Sequence, residues 1–197
     1  MARKIIQKQC STLSMTAALA DKEGLFDQLR EGAVFIYPTD TIYGMGCDAL
    51  ISSAVRRVRE LKAREQKPFS VIAPSKEWIL ENCVVEHVSL LDLLPGPYTL
   101  VLKLKVSSRI SREVSSTGTI GVRIPKHPIA SFVEAYGRPI VTTSVNKTGE
   151  PNAVSKEEFK QFAVDVLIYE GKKEGVASTI VDTVAKKTIV RSIRRRE

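Results

Sequence analysis

The run Val34-Phe35-Ile36-Tyr37-Pro38-Thr39-Asp40-Thr41-Ile42-Tyr43-Gly44-Met45-Gly46-Cys47-Asp48 constrains the rest of the chain more than any other stretch. Its four consecutive apolar or aromatic residues, 34–37, predict a strand covered on both faces, and Pro38, which has no backbone donor, ends the ladder. A strand of that kind needs a layer on each side, so the chain must supply helices to pack over a sheet. Beyond Pro38 the sequence reads as a polar loop at the strand exit. Thr39, Asp40 and Thr41 set two hydroxyls and a carboxylate there, while Gly44 and Gly46 permit a close backbone approach that side chains forbid. Taken alone, the stretch is equally an ordinary strand-exit turn.

The covering layers are legible on either side. Asp21 is placed to cap a helix whose Leu25, Phe26 and Leu29 share one face, with Gly32 to end it. Ser52 or Ser53 is placed to cap a second helix carrying Ala54, Val55, Val58 and Leu61, which delivers Lys62-Ala63-Arg64 at its C-terminal end. A strand over 69–73 follows, then a helix capped by Ser75 with Trp78 and Ile79 facing inward, then helical turns over 88–94 that stop at Pro95-Gly96-Pro97. Strands are expected over 98–104 and 119–125, and a helix from Pro128 through Ala130, Phe132, Val133 and Tyr136 to Gly137. A strand over 139–143 then runs into a second polar loop, 144–151. Ser155 opens a helix over 156–162, and segments 166–169, 179–183 and 188–193 close the chain as strands. The 197 residues suit one sizeable core and show neither repeat nor linker, so the expected fold is a single α/β domain, a mixed sheet with helices packed on it.

Thirty Lys and Arg against 22 Asp and Glu give a net charge of +8, which favours an anionic partner, nucleotide, RNA or both. Part of the excess lies in the ends, Ala2-Arg3-Lys4 and Arg191-Ser192-Ile193-Arg194-Arg195-Arg196, where solvated basic termini are as good a reading as a nucleic-acid contact. The three cysteines, Cys10, Cys47 and Cys83, are far apart and without C-x-x-C pairing, which suggests neither a disulfide framework nor a zinc site. No apolar run reaches the length that spans a bilayer, and the start of the chain has no apolar signal region, so a cytoplasmic protein with no membrane partner is expected.

Three polar clusters fall at element ends: Lys62, Arg64 and Lys67; Thr119 and Arg123; Ser144, Asn146 and Lys147. Converging from separate segments, they would make an anion site, because a triphosphate needs several cationic and N–H or O–H donors. Singly each is weak, since K-x-R after a helix is usually a solvated helix end. Arg123 differs, because a charge inside a strand needs a partner. G-x-x-x-x-G-K-[ST] and G-x-G-x-x-G are both absent, which argues against a P-loop ATPase and a Rossmann dehydrogenase. His87 and His127 show no metal-ligand spacing, and Cys47 has no neighbouring His to activate it.

With these residues in place, the chain resembles the YrdC family of L-threonylcarbamoyladenylate synthases from about Gly32 to Arg191. The resemblance runs through Tyr37-Pro38-Thr39-Asp40-Thr41-Ile42-Tyr43-Gly44, Lys62-Ala63-Arg64 with Lys67-Pro68, Pro95-Gly96-Pro97-Tyr98-Thr99, residues 119–125, Ser144-Val145-Asn146 and Ser178-Thr179-Ile180-Val181-Asp182. It implies a twisted mixed sheet with a concave basic cavity, in the short single-domain form, taking ATP, L-threonine and bicarbonate. Threonylcarbamoyl-AMP and pyrophosphate would be the products, used for the N6-threonylcarbamoyladenosine modification of tRNA by downstream transfer machinery. In the family's terms Thr41, Arg123, Ser144 and Ser178 match positions that hold threonine. Lys62, Arg64, Lys67, Thr119, Asn146 and Arg191 match those that hold the nucleotide. The segment 64–68 is about one residue shorter than the family's commoner spacing. Mg2+ is expected to arrive with the ATP, held by phosphate oxygens and water rather than a carboxylate cage.

Two other readings belong beside this one. An RNA-binding relative without synthase activity, contacting tRNA or double-stranded RNA, would suit the charge, although most Phe and Tyr residues fall on faces that read as core rather than as stacking platforms. A carbamoyl-transfer relative of the hydrogenase-maturation type would need acylphosphatase and zinc-finger segments that this sequence lacks.

Overall fold

The computed structural model describes residues 10–64 and 67–191. The strands are β1 (Ser11–Leu13), β2 (Phe35–Tyr37), β3 (Gly44–Gly46), β4 (Ser70–Ile72), β5 (Cys83–Val84), β6 (Tyr98–Leu104), β7 (Thr119–Arg123), β8 (Ile140–Ser144), β9 (Val166–Ile168), β10 (Thr179–Asp182) and β11 (Lys187–Ile189). Ten of them line up as β1-β9-β2-β3-β8-β4-β7-β6-β10-β11, with β5 paired to β6 alongside. Parallel and antiparallel pairs mix: β2 runs parallel to β9 and antiparallel to β3, and β4 parallel to β7 and antiparallel to β8.

Six helices flank the sheet among the described residues: α1 (Met15–Ala20), α2 (Lys22–Arg30), α3 (Ser52–Leu61), α4 (Lys76–Asn82), α5 (Ile129–Tyr136) and α6 (Lys156–Phe159), with a 3-10 helix over Val88–Leu93. The period of two in each strand divides the apolar residues between two cores. Phe35 and Tyr37 of β2, Ile140 of β8, and Val166 and Ile168 of β9 pack with Leu25, Phe26 and Leu29 of α2 and Phe132 and Val133 of α5. Val34, Ile36, Val141 and Leu167 face the other way, onto Val55 and Val58 of α3 and Phe159 of α6. Burying side chains such as Phe26 and Leu29 contributes about 1.5–3 kcal/mol each, and the Phe26 and Phe132 rings meet at 5.0 Å. α5 ends as its sequence foretells, with Gly137 in the left-handed region at φ 72°.

Four local readings change. Residues 44–46 form strand β3 between β2 and β8 rather than loop. Their glycines are there for packing: a Cβ on Gly46 would lie 1.5 Å from the Val141 carbonyl oxygen, and one on Gly44 would lie 2.8 Å from the Tyr37 ring. Ser52 is the first residue of α3 and its hydroxyl bonds to that of Ser111 at 2.9 Å, so neither serine caps; Ile51 holds the cap position. α6 stops at Phe159 instead of 162. β1 and α1, which lack an apolar run of their own, were not legible; β1 is ordered by its pairing with β9. Of the closing strand expected over 188–193, residues 192–193 lie outside the described residues, as do Glu65 and Gln66, the basic start of the chain and the basic end beyond Arg191.

Candidate active site

The sheet face covered by α2 and α5 loses its helical cover toward the centre. Ser70 and Ile72 point to the same side of β4, and Ile140 and Thr142 to the same side of β8, but only Ile72 and Ile140 belong to the apolar cluster. Ser70, Thr142, Thr99, Gly121 and Arg123 continue that face as the wall of a cavity of about 300 Å³. Gly121 keeps it open, since a Cβ there would meet the Ser70 hydroxyl at 2.3 Å. A larger cavity of about 580 Å³ adjoins it, and Arg64, Ser144, Ala177 and Arg191 line both. The two hollows therefore meet at a junction carrying two guanidinium groups and a hydroxyl.

Arg123 dominates the smaller cavity. Its side chain is 7% exposed and its Nη2 donates to Asp40 Oδ1 at 2.5 Å. Nη1 donates to the Thr41 hydroxyl at 3.3 Å. Nε is buried with no partner, the only such side-chain atom among the described residues. A buried N–H left unpaired is destabilising by about 1–3 kcal/mol, so an incoming anion would relieve a standing penalty. Burial pulls Arg123 below the ordinary guanidinium value, and the Asp40 carboxylate opposes that. Asp40 is itself fixed by the Lys126 N–H at 2.9 Å. Nearby, the Thr99 and Ser178 hydroxyls share a hydrogen bond of 2.7 Å, both residues buried.

The larger cavity is built where α3 ends. Lys62 is 1% exposed, and its Nζ donates to Ser144 O at 2.5 Å, Asn146 O at 2.7 Å and Asn146 Oδ1 at 2.9 Å. Burial, with Arg64 adding to it, pushes the ammonium down to about 7. Ser144 Oγ donates to Asn146 Oδ1 at 2.6 Å, and Asn146 Nδ2 donates to Glu150 O at 2.6 Å. Arg64 lies 5.0 Å from the Phe69 ring centroid and donates to Pro68 O at 2.6 Å and Lys67 O at 3.2 Å. The wall carries Lys62, Arg64, Lys172 and Arg191 but also Glu150, Glu158 and Glu174, so its field is mixed; the smaller cavity has three arginines and no carboxylate in its lining.

Of the ten candidate residues, Arg64, Thr119, Arg123, Ser144, Ser178 and Arg191 line the smaller cavity, and Lys62 and Asn146 line the larger. Thr41 sits just behind, on Arg123. Lys67 is not brought in: its side chain is exposed, and its carbonyl serves Arg59 and Arg64. Sequence reasoning passed over Asp40 as a partner for Arg123, Thr99 as a partner for Ser178, and the segment 170–177. That segment crosses from β9 to β10 beside the connection between β2 and β3, with Lys173 Nζ donating to Thr39 O at 2.6 Å and the Tyr43 hydroxyl donating to Gly171 O at 2.8 Å. A buried strand arginine calls for a carboxylate, and the opening run holds two, Asp40 and Asp48, of which Asp40 lies at the exit of the first strand; the other two have no signal in the sequence.

Comparison with known proteins shows the family of the chain. The model of the Sua5, YciO and YrdC proteins, described as "Telomere recombination", matches residues 27–193. The human threonylcarbamoyl-AMP synthase is 34% identical over 169 residues, 79% of this chain and 60% of the human one. The synthase of the same name from Vibrio campbellii is 32% identical over 164 residues, 78% of this chain and 88% of the bacterial one. The crystal structure of P. abyssi Sua5 complexed with L-threonine superposes with a TM-score of 0.75 at 30% identity, covering 86% of this chain and 52% of that one. The chain thus spans about 60% of the length of the mammalian relatives it matches.

Proposed function

The chain belongs to the Sua5/YciO/YrdC family, and on that premise we propose that it is a threonylcarbamoyl-AMP synthase, joining L-threonine, bicarbonate and ATP with release of pyrophosphate. The observation that carries the reading is the pair of cavities meeting at Arg64, Ser144 and Arg191, one of them holding a buried guanidinium with a free N–H.

Threonine occupies the smaller cavity, its carboxylate against the Arg123 guanidinium, with the Ser144 and Ser178 hydroxyls around its polar atoms and Thr41 behind, on Arg123. The triphosphate occupies the larger cavity beside the Asn146 amide and reaches the junction, where Arg64 and Arg191 face its oxygens; Thr119 lies beyond it, in the wall of the smaller cavity. Lys67 is not assigned to this grip. Threonine's amine forms a C–N bond with bicarbonate carbon, water leaving, and the resulting carbamate oxygen attacks the α-phosphorus as pyrophosphate departs. The carbamate is already an anion, so alignment and charge neutralisation at the junction are the protein's main contributions.

Mg2+ fits as the companion of ATP. Among the described residues no group of three or more His, Cys, Asp or Glu side chains is placed to hold a metal ion, so the phosphate oxygens and water would supply its ligands, and the ion would neutralise the polyphosphate. Transfer to tRNA would fall to a separate enzyme, since the product is a mixed anhydride reactive toward an amine. The described residues contain no helix long and apolar enough to cross a membrane. The test is pyrophosphate release: we expect it to require threonine and bicarbonate together, and release indifferent to either would overturn the assignment.

A further inference from the structure

Lys62 lines the larger cavity, yet its ammonium gives three hydrogen bonds to protein oxygens. The contact runs both ways, because the Lys62 carbonyl accepts from Thr148 N at 2.9 Å and Thr148 Oγ1 at 3.1 Å. Side chain and main chain of one residue thus bracket the loop that follows β8. We infer that Lys62 is a positioning residue whose ammonium sets the hydrogen-bond polarity of Ser144 and Asn146 at the junction of the two cavities. This rests on the proposed two-substrate reading of those cavities.

The polarity follows from counting donors. The oxygens around Nζ accept only, so the arrangement is complete when the nitrogen carries three protons. A flipped Asn146 amide would turn its NH2 against that ammonium, so Oδ1 is held inward and Nδ2 outward, toward Glu150 O and the larger cavity. Oδ1 also receives the Ser144 proton. With its proton committed, the Ser144 oxygen has only lone pairs left to offer, and it lines both hollows. An ammonium or hydroxyl donor is what such an oxygen recognises. Without Lys62, Asn146 can flip and the Ser144 hydroxyl can rotate, and that preference is lost.

A lysine that only gripped phosphate would not affect threonine binding when no nucleotide is present, which separates the two roles. Calorimetric titration of L-threonine alone into the full chain at about pH 6, where Lys62 carries its third proton, is expected to give about tenfold weaker binding for Lys62→Met. A similar loss is expected for Ser144→Ala, and none further when the two are combined. Unchanged threonine binding in Lys62→Met, or losses that multiply in the double variant, would overturn the proposal. Should Lys62→Met fail to fold, 15N-lysine NMR on wild type and Asn146→Ala replaces it. Slower exchange of the Lys62 ammonium protons in wild type than in the variant supports the clamp, and equal exchange overturns it. A wild type that takes up no threonine defeats the reading of the smaller cavity instead, and the NMR comparison still decides the clamp.

Discussion

Replacing Arg123 by lysine removes the unpartnered buried Nε–H while leaving a cation beside Asp40. The milder substitution matters. Asp40 is only 10% exposed, and stripping its counter-charge with alanine would destabilise the fold by about 3–5 kcal/mol, which would confuse binding with folding. In Arg123→Lys the fork is lost but the charge remains. A charge-assisted hydrogen bond contributes about 1.5–3 kcal/mol, and about 1.4 kcal/mol is a factor of ten, so threonine should bind roughly 10- to 100-fold more weakly. The assay is calorimetric titration of threonine and of ATP separately, with thermal unfolding to confirm that the variant is folded. ATP affinity should stay within about twofold, because Arg123 lines only the smaller cavity. Equal losses for both ligands, or threonine affinity unchanged, would refute the assignment of the buried guanidinium to the amino acid's carboxylate.

Other outcomes follow from the same geometry. Gly46→Ala drives a methyl into the Val141 carbonyl and should destabilise by more than about 3 kcal/mol, read as loss of cooperative unfolding; a stable variant would mean that β3 is misplaced. Lys62, at about 7 when folded against 10.5 ordinarily, leaves the unfolded chain holding more protons between those values. Wild-type stability should therefore rise relative to Lys62→Met as the pH goes from about 7 to about 10, measured by urea unfolding; a constant difference would show that the ammonium is not desolvated. Burial pushes the Cys83 thiol up to about 11 and raises those of Cys47 and Cys10 as well, so access decides, and alkylation of the native protein should label exposed Cys10 before buried Cys47 and Cys83, with peptide mass mapping as the check. Gly121→Ala narrows the smaller cavity against Ser70 and Thr99 and should weaken threonine binding more than ATP binding in the same titrations.

Local signals carried well where the physics is local. The apolar run 34–37, the one-faced helix with Leu25, Phe26 and Leu29, the Ser75 cap and the strand over 98–104 all stand as read, because each is decided by near neighbours. Residues 44–46 misled because glycines usually mark turns, whereas here they admit the Tyr37 ring and the β8 backbone, a fact of packing between distant segments. The same distance hid the site's wiring. Arg123 announced itself by sitting charged in a strand, but its partner Asp40 is 83 residues away, and the acceptors of Lys62 lie 82 and 84 residues on. Residue types at element ends told which groups are polar; only the sheet order decides which of them meet.

The central claim is that two neighbouring hollows bring an amino-acid carbamate to the α-phosphate of ATP. The most direct measurement supplies 14C-bicarbonate with threonine and ATP and follows label into a nucleotide-linked product resolved by mass. One carbon from bicarbonate and one threonine per AMP, absent when any of the three is omitted, is the predicted result. An unlabelled adenylate of threonine, or label uptake without threonine, would contradict it.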